Sequence, residues 1–254
     1  MSAAAELRAL DIDTPALLLD LDLVEANIAL MAAFARSREI ALRPHAKTHK
    51  CAALGRLQLA AGAAGLCCAK LGEAEALAAE GVGPLMITSP LVGARKLARL
   101  ARLALHAPGL AVVVDEVAQA EALALAMAAA GPVVDVLVDV DPGMARTGCA
   151  TIDAALAVAR AVDGAPNLRL RGVQCYAGTI QHLADAATRA EAARGVHRHL
   201  RATLDAFAAA ELAVEVVTGS GTGTFALDAG AGLFTELQVG SYLVMDDEYA
   251  ANAP

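Results

Sequence analysis

The sequence predicts an α/β fold, a (β/α)8 barrel with one extra strand at its N-terminal end. Three observations carry this. The chain has 254 residues, within the size that α/β barrels occupy as one domain. Short apolar runs rich in β-formers alternate with longer Ala/Leu/Glu/Arg runs along its whole length. Those short runs are apolar almost throughout, as strands buried on both faces of a parallel sheet are.

Eight runs supply the barrel strands: 41–46, 65–69, 84–88, 110–115, 134–140, 170–176, 214–219 and 236–239. Helical spacing predicts helices over 21–37, 50–62, 72–80, 92–104, 116–129, 151–162 and 185–210. Gly62, Gly81 and Gly131 close three of them, where a left-handed residue ends a helix. The 220–235 stretch shows no clear helix. Residues 14–20, TPALLLD, read as a ninth strand that needs a partner outside the barrel.

Composition excludes several function classes. Hydrophobic residues make up 57% and charged residues 19%, too apolar for a disordered chain. Net charge is −8 and aromatics are 3%, which speaks against a nucleic-acid partner, since that needs a basic face and stacking platforms. The longest apolar run, Ala122 to Val134, has 13 residues and contains Gly131 and Pro132, whereas a membrane span needs about 20. The N-terminus, MSAAAELRALDID, lacks the basic start of a signal peptide. Five cysteines (Cys51, Cys67, Cys68, Cys149, Cys175) without CxxC spacing suggest reduced thiols and a cytoplasmic setting.

Chemistry is concentrated where predicted strands end, the face on which barrel enzymes build their sites. Arg43-Pro44-His45-Ala46-Lys47-Thr48-His49-Lys50 packs three cations and two histidines after the first strand. A lysine there, in apolar surroundings beside other cations, can have its amine pKa lowered and act as a nucleophile. The same run also reads as a solvated basic loop. Thr218-Gly219-Ser220-Gly221-Thr222-Gly223-Thr224 follows the seventh strand, where barrels often bind phosphate through free backbone N–H groups. It also reads as a flexible loop.

Asp139 to Gly148 follows the fifth strand and contains Arg146, either an anion-holding group or a surface residue. Gln174-Cys175-Tyr176-Ala177-Gly178, with Gln181 and His182, follows the sixth; its polar groups are either functional or structural. Ala69 to Glu75 reads as a helix start with acids in its first turn. His197 and His199 fall in a charged helix and are expected in solvent.

In order, TPALLLD, RPHAKTHK, CCAKLGEAE, DPGMARTG, CYAGTIQH, TGSGTGTF and ELQVGSYLVMDDEY resemble the D-threonine aldolase/D-serine dehydratase family. Those are fold-type III enzymes related to alanine racemase that use pyridoxal 5'-phosphate. The matches run from residue 14 to about 249. The resemblance implies a barrel of the alanine racemase N-terminal type over 1–254. It implies Lys47 as the Schiff-base lysine, with His45 beside the cofactor as a second catalytic residue. Arg146 would contact the phenolate oxygen and Tyr176 the ring. Gly221, Thr222, Gly223 and Tyr242 would hold the phosphate.

The resemblance also implies a lyase that cleaves β-hydroxy D-amino acids to glycine and an aldehyde. A dehydratase of D-serine or 3-hydroxy-D-aspartate, and a non-catalytic single-domain cofactor carrier, stay open beside it. Full-length relatives are expected to be homodimers with a C-terminal β domain that binds a divalent metal (Mn, Mg or Zn) through a His-x-Cys/Asp pair. No such pair follows the eighth predicted strand in this sequence. The expectation is therefore a chain without metal ligands and without the sheet that TPALLLD would join.

Overall fold

The computed structural model describes residues 13–245 and 247–252, so the signal-peptide reading at 1–12 lies outside them. The elements are α1 (Leu21–Ser37), β1 (Ala41–Leu42), α2 (Ala52–Ala60), β2 (Leu66–Cys68), α3 (Leu71–Ala79) and β3 (Leu85–Ile87). They continue with α4 (Ala94–Ala104), β4 (Ala111–Val114), α5 (Val117–Ala130), β5 (Val134–Asp139), α6 (Ile152–Asp163) and β6 (Leu168–Cys175). Last come α7 (Ala186–Ala209), β7 (Val216–Gly219), α8 (Phe225–Gly230), β8 (Glu236–Leu237) and α9 (Asp247–Ala250).

All eight strands are parallel, in the order β1-β8-β7-β6-β5-β4-β3-β2. The β1–β2 seam is joined by Ala64 N–H to Leu42 O at 2.7 Å, Cys67 N–H to Pro44 O at 2.8 Å and a parallel bridge between His45 and Cys67. The expected barrel is borne out, with shorter strands than the apolar runs suggest.

The strands form where β-branched and small apolar side chains are buried on both sides; every residue of β2, β3, β4 and β5 is buried. Three helices start at side-chain caps: Asp20 accepts from Leu23 N–H, Thr151 from Ala154 N–H and Asp185 from Thr188 N–H. The main core lies between helices and barrel, including Leu100, Leu123, Leu200 and Phe207. A smaller apolar plug of Cys67, Met86, Ala111, Val113 and Leu137 fills the barrel interior. Burying this surface stabilises the fold by roughly 25 cal/mol per Å².

Three expectations are corrected. Residues 14–20 are not a strand; they run extended and exposed into α1, with Leu17 fully exposed. A sheet that curls round on itself offers no edge for a ninth strand. The 220–235 stretch does contain a helix, α8, whose six residues are too few to show periodicity. His197 is not solvated: its ring is largely buried against α8, with Nε2 2.7 Å from Asp228 Oδ1.

Candidate active site

At the C-terminal ends of the strands the barrel opens into a cavity of about 450 Å³. Loops after β1, β5, β6, β7 and β8 converge on it, because parallel strands deliver all their C-terminal ends to one face. His45, Lys47, Arg146, Tyr176, Gly221 and Thr222 line it. Gly223 and Tyr242 stand behind its wall. The Gly223 N–H donates to Gln181 Oε1 at 3.0 Å, and the Tyr242 hydroxyl accepts from Gln58 Nε2 at 2.9 Å. Tyr242 reaches the anion loop through its backbone N–H, which donates to Thr222 Oγ1 at 3.0 Å.

Lys47 sits in a single 3-10 turn, Ala46–Thr48, which turns its side chain across the cavity. Its Nζ lies 5.4 Å from the centroid of the Tyr176 ring, and Arg146 Cζ lies 5.5 Å from the same centroid. Burial, then the Arg146 charge, lower the Lys47 amine below its ordinary value. More of it is therefore the free base near neutrality. Burial raises the Tyr176 phenol, which remains an uncharged ring between the two cations.

His45 is held at both nitrogens. Nε2 is 3.0 Å from Thr88 Oγ1, whose hydroxyl donates to Cys68 O, so Nε2 carries the proton. Nδ1 accepts from Lys47 N–H at 3.3 Å. Burial, with the Lys47 and Arg146 charges, lowers its pKa to about 3, so the ring is neutral.

The cavity floor carries polar groups that the sequence reading left out of the site: Thr88 and Gln238. Gln174 Nε2 donates to Asp139 Oδ1 at 2.9 Å and to Thr88 O at 3.1 Å, while its Oε1 accepts from Gln238 Nε2 at 3.0 Å. Burial pushes Asp139 up to about 6, opposed by the Gln174 amide and the Thr147 hydroxyl. Glu236 and Gln238 alternating with Leu237 and Val239 in ELQV, polar groups on one face of a strand expected to be buried, were the available signal.

The phosphate-loop reading can be tested on the backbone. Among the described residues, none accepts a hydrogen bond from the N–H groups of Gly221, Thr222, Gly240 or Ser241. These four residues line the cavity. The Ser220 hydroxyl beside them is buried without a partner. Unpaired backbone donors lining one cavity suit an anion. A Cβ on Gly240 would come 2.8 Å from Thr48 Oγ1 and 3.0 Å from His45 O, so the close approach there demands glycine. The residues present fit pyridoxal phosphate: one cavity is lined by an amine, an aromatic ring and backbone donors free to hold an anion.

A family model described as the alanine racemase N-terminal domain matches residues 19–248. The chain belongs to this family. Within it, the chain is 41% identical over 241 residues to the D-threonine aldolase of Arthrobacter sp.. It is 36% identical over 240 residues to the 3-hydroxy-D-aspartate aldolase of Paracoccus denitrificans. The crystal structure of D-threonine aldolase from Filomicrobium marinum superposes with a TM-score of 0.94 at 44% identity, covering 96% of this chain and 66% of that one. The resemblance seen in the motifs is borne out. The matches cover 95% and 94% of this chain but 63% and 62% of the two curated relatives.

Among the described residues, no three His, Cys, Asp or Glu side chains gather as metal ligands, and no helix is long and apolar enough to cross a membrane. The five cysteines are free thiols.

Proposed function

We propose that this alanine racemase-type barrel is the cofactor-binding part of a pyridoxal-phosphate lyase acting on β-hydroxy D-amino acids. One observation carries the reading. A lysine amine with a lowered pKa and four unpaired backbone donors line one cavity. The similarity to aldolases of D-threonine and 3-hydroxy-D-aspartate points to a retro-aldol reaction that gives glycine and an aldehyde.

In this reading Lys47 is the residue that would hold the cofactor at its aldehyde end, and the lowered pKa keeps its amine available. The N–H groups of Gly221, Thr222, Gly240 and Ser241 bind the phosphate. Arg146 holds the ring's anionic oxygen by a charge-assisted hydrogen bond, and Tyr176 packs beside the ring. His45, engaged at both nitrogens, positions the Lys47 turn and accepts no proton. When bound, the cofactor supplies an electron sink for charge developing on the substrate. His182 and Tyr249, with ring centroids 4.4 Å apart, also line the cavity. Five free thiols suit a cytoplasmic setting.

The experiment is to load the chain with pyridoxal phosphate, trap the adduct with borohydride, and incubate untreated protein with D-threonine. Glycine and acetaldehyde are expected. Ammonia and a keto acid from D-threo-3-hydroxyaspartate, without aldehyde release from D-threonine, would replace the aldolase reading with the dehydratase. An adduct with no turnover of either substrate would leave a cofactor carrier instead.

A further inference from the structure

Behind the cavity wall, Gln181 stands where the anion loop turns. It is 1% exposed. The loop packs so closely on it that a Cβ on Gly221 would lie 2.5 Å from its Oε1, and a Cβ on Gly223 would lie 2.0 Å from its backbone O. Its side chain also engages the loop directly. Oε1 accepts from Gly223 N–H at 3.0 Å, and Nε2 donates to Thr224 Oγ1 at 2.9 Å and to Ala177 O at 3.0 Å.

The hydrogen-bond directions are then determined one after another. The Thr224 hydroxyl accepts from Gln181, so its own proton goes to Asp228 Oδ2 at 2.6 Å. Asp228 is buried in α8, and its other oxygen faces His197 Nε2 on α7 at 2.7 Å. An anion loop is thus bolted through a buried amide to a carboxylate held between two helices. None of these side chains reaches the cavity, so none is needed for contact with a ligand. What they determine is where the free N–H groups of Gly221 and Thr222 point.

We propose that Gln181 is a positioning residue for the phosphate end of the cofactor, acting through Gly223 and Thr224 on the backbone donors of Gly221 and Thr222. This rests on the reading of the cavity as a pyridoxal-phosphate site. A group that aims phosphate donors affects phosphorylated ligands selectively. Loss of fold would affect every ligand alike.

The test compares pyridoxal phosphate with pyridoxal, which carries the same aldehyde and ring without the anion. Equilibrium binding of each to the full chain is measured for the wild type and for Gln181→Met, which keeps the volume and removes the three side-chain hydrogen bonds. The wild type is expected to prefer the phosphorylated form. Gln181→Met is expected to lose about tenfold or more of affinity for pyridoxal phosphate while its affinity for pyridoxal stays within about twofold. Thr224→Val, isosteric and one bond further out, is expected to move the same ratio less, and it supplies the test if Gln181→Met does not fold. A folded Gln181→Met, or in its place Thr224→Val, that keeps the wild-type preference overturns the positioning role while leaving the site reading intact. A wild-type chain that binds neither compound, or binds both equally, overturns the site reading and the positioning role together.

Discussion

Lys47 stands over the ring of Tyr176, its Nζ 5.4 Å from the ring centroid. Arg146 shares that ring from 5.5 Å. Two cations on one aromatic surface favour each other's neutral form, and only the lysine can comply, because a guanidinium does not deprotonate in a protein. Repulsion between the two charges couples the residues: the charge on Arg146 helps to keep the Lys47 amine reactive.

Arg146→Gln should raise the Lys47 pKa toward its ordinary value, since the Arg146 charge is the largest lowering influence after burial. The free-amine fraction at neutral pH should fall. The pH dependence of Lys47 acylation by a neutral reagent, followed by peptide mass spectrometry, measures this. An unmoved midpoint would show that burial alone sets the shift.

Lys47→Ala should abolish the borohydride-trapped pyridoxal-phosphate adduct. Lys50 is exposed, with its Nζ donating to Lys47 O at 3.0 Å, and Lys70 lies in a separate groove outside the cavity. Peptide mapping locates the adduct, and a surviving adduct on either of those lysines would move the assignment away from Lys47.

Gly221→Val and Gly223→Ala should weaken pyridoxal-phosphate binding far more than Arg201→Ala on the exposed surface of α7. At Gly223 the added Cβ meets a backbone oxygen, which cannot rotate away, so a stability loss of ~1–3 kcal/mol is expected beside the binding loss. Calorimetric cofactor titration and urea unfolding read the two effects. Binding by both variants equal to that of Arg201→Ala would leave the loop without a special role.

Acid should destabilise the fold partly through His45. Its pKa falls from 6.5 to about 3 on folding, so the unfolded chain binds the extra proton between those values. The His45 contribution is complete above about pH 6.5 and is lost as pH falls toward 3. Asp139 acts oppositely: raised from 3.8 to about 6, it favours the folded state below 3.8 and loses that contribution as pH rises through 6. In urea unfolding between pH 4 and 7, His45→Gln should flatten the acid loss and Asp139→Asn should steepen it. Parallel curves for wild type and His45→Gln would show that the imidazole is not held neutral.

Much of the fold was legible because strand burial leaves a direct mark. Ala111–Val114 is wholly apolar and Val134–Asp139 is apolar but for Asp135 and Asp139, since both faces are covered, and the alternation with Ala/Leu helices follows. TPALLLD misled for the same reason: three leucines in a row look buried, yet Leu17, Leu18 and Leu19 are at least half exposed. Local pattern reports what a segment could cover, not whether the fold leaves it a neighbour. The short helix α8 was illegible because its six residues span under two turns.

The sequence by itself determined the barrel, the family and most of the residues that converge at the cavity. Lys47, Arg146, Tyr176 and the Gly221–Thr222 loop each follow a strand, and parallel strands must present those loops on one face. Tertiary structure alone decided which of them meet. It placed Lys47 and Arg146 over one ring, turned the Tyr242 hydroxyl away to Gln58, and fastened Gly223 to Gln181 across 42 positions of chain. The reason is physical. A strand's direction is set by its neighbours through backbone hydrogen bonds, but a side chain's partner is set by packing between segments remote in sequence, which no local pattern encodes.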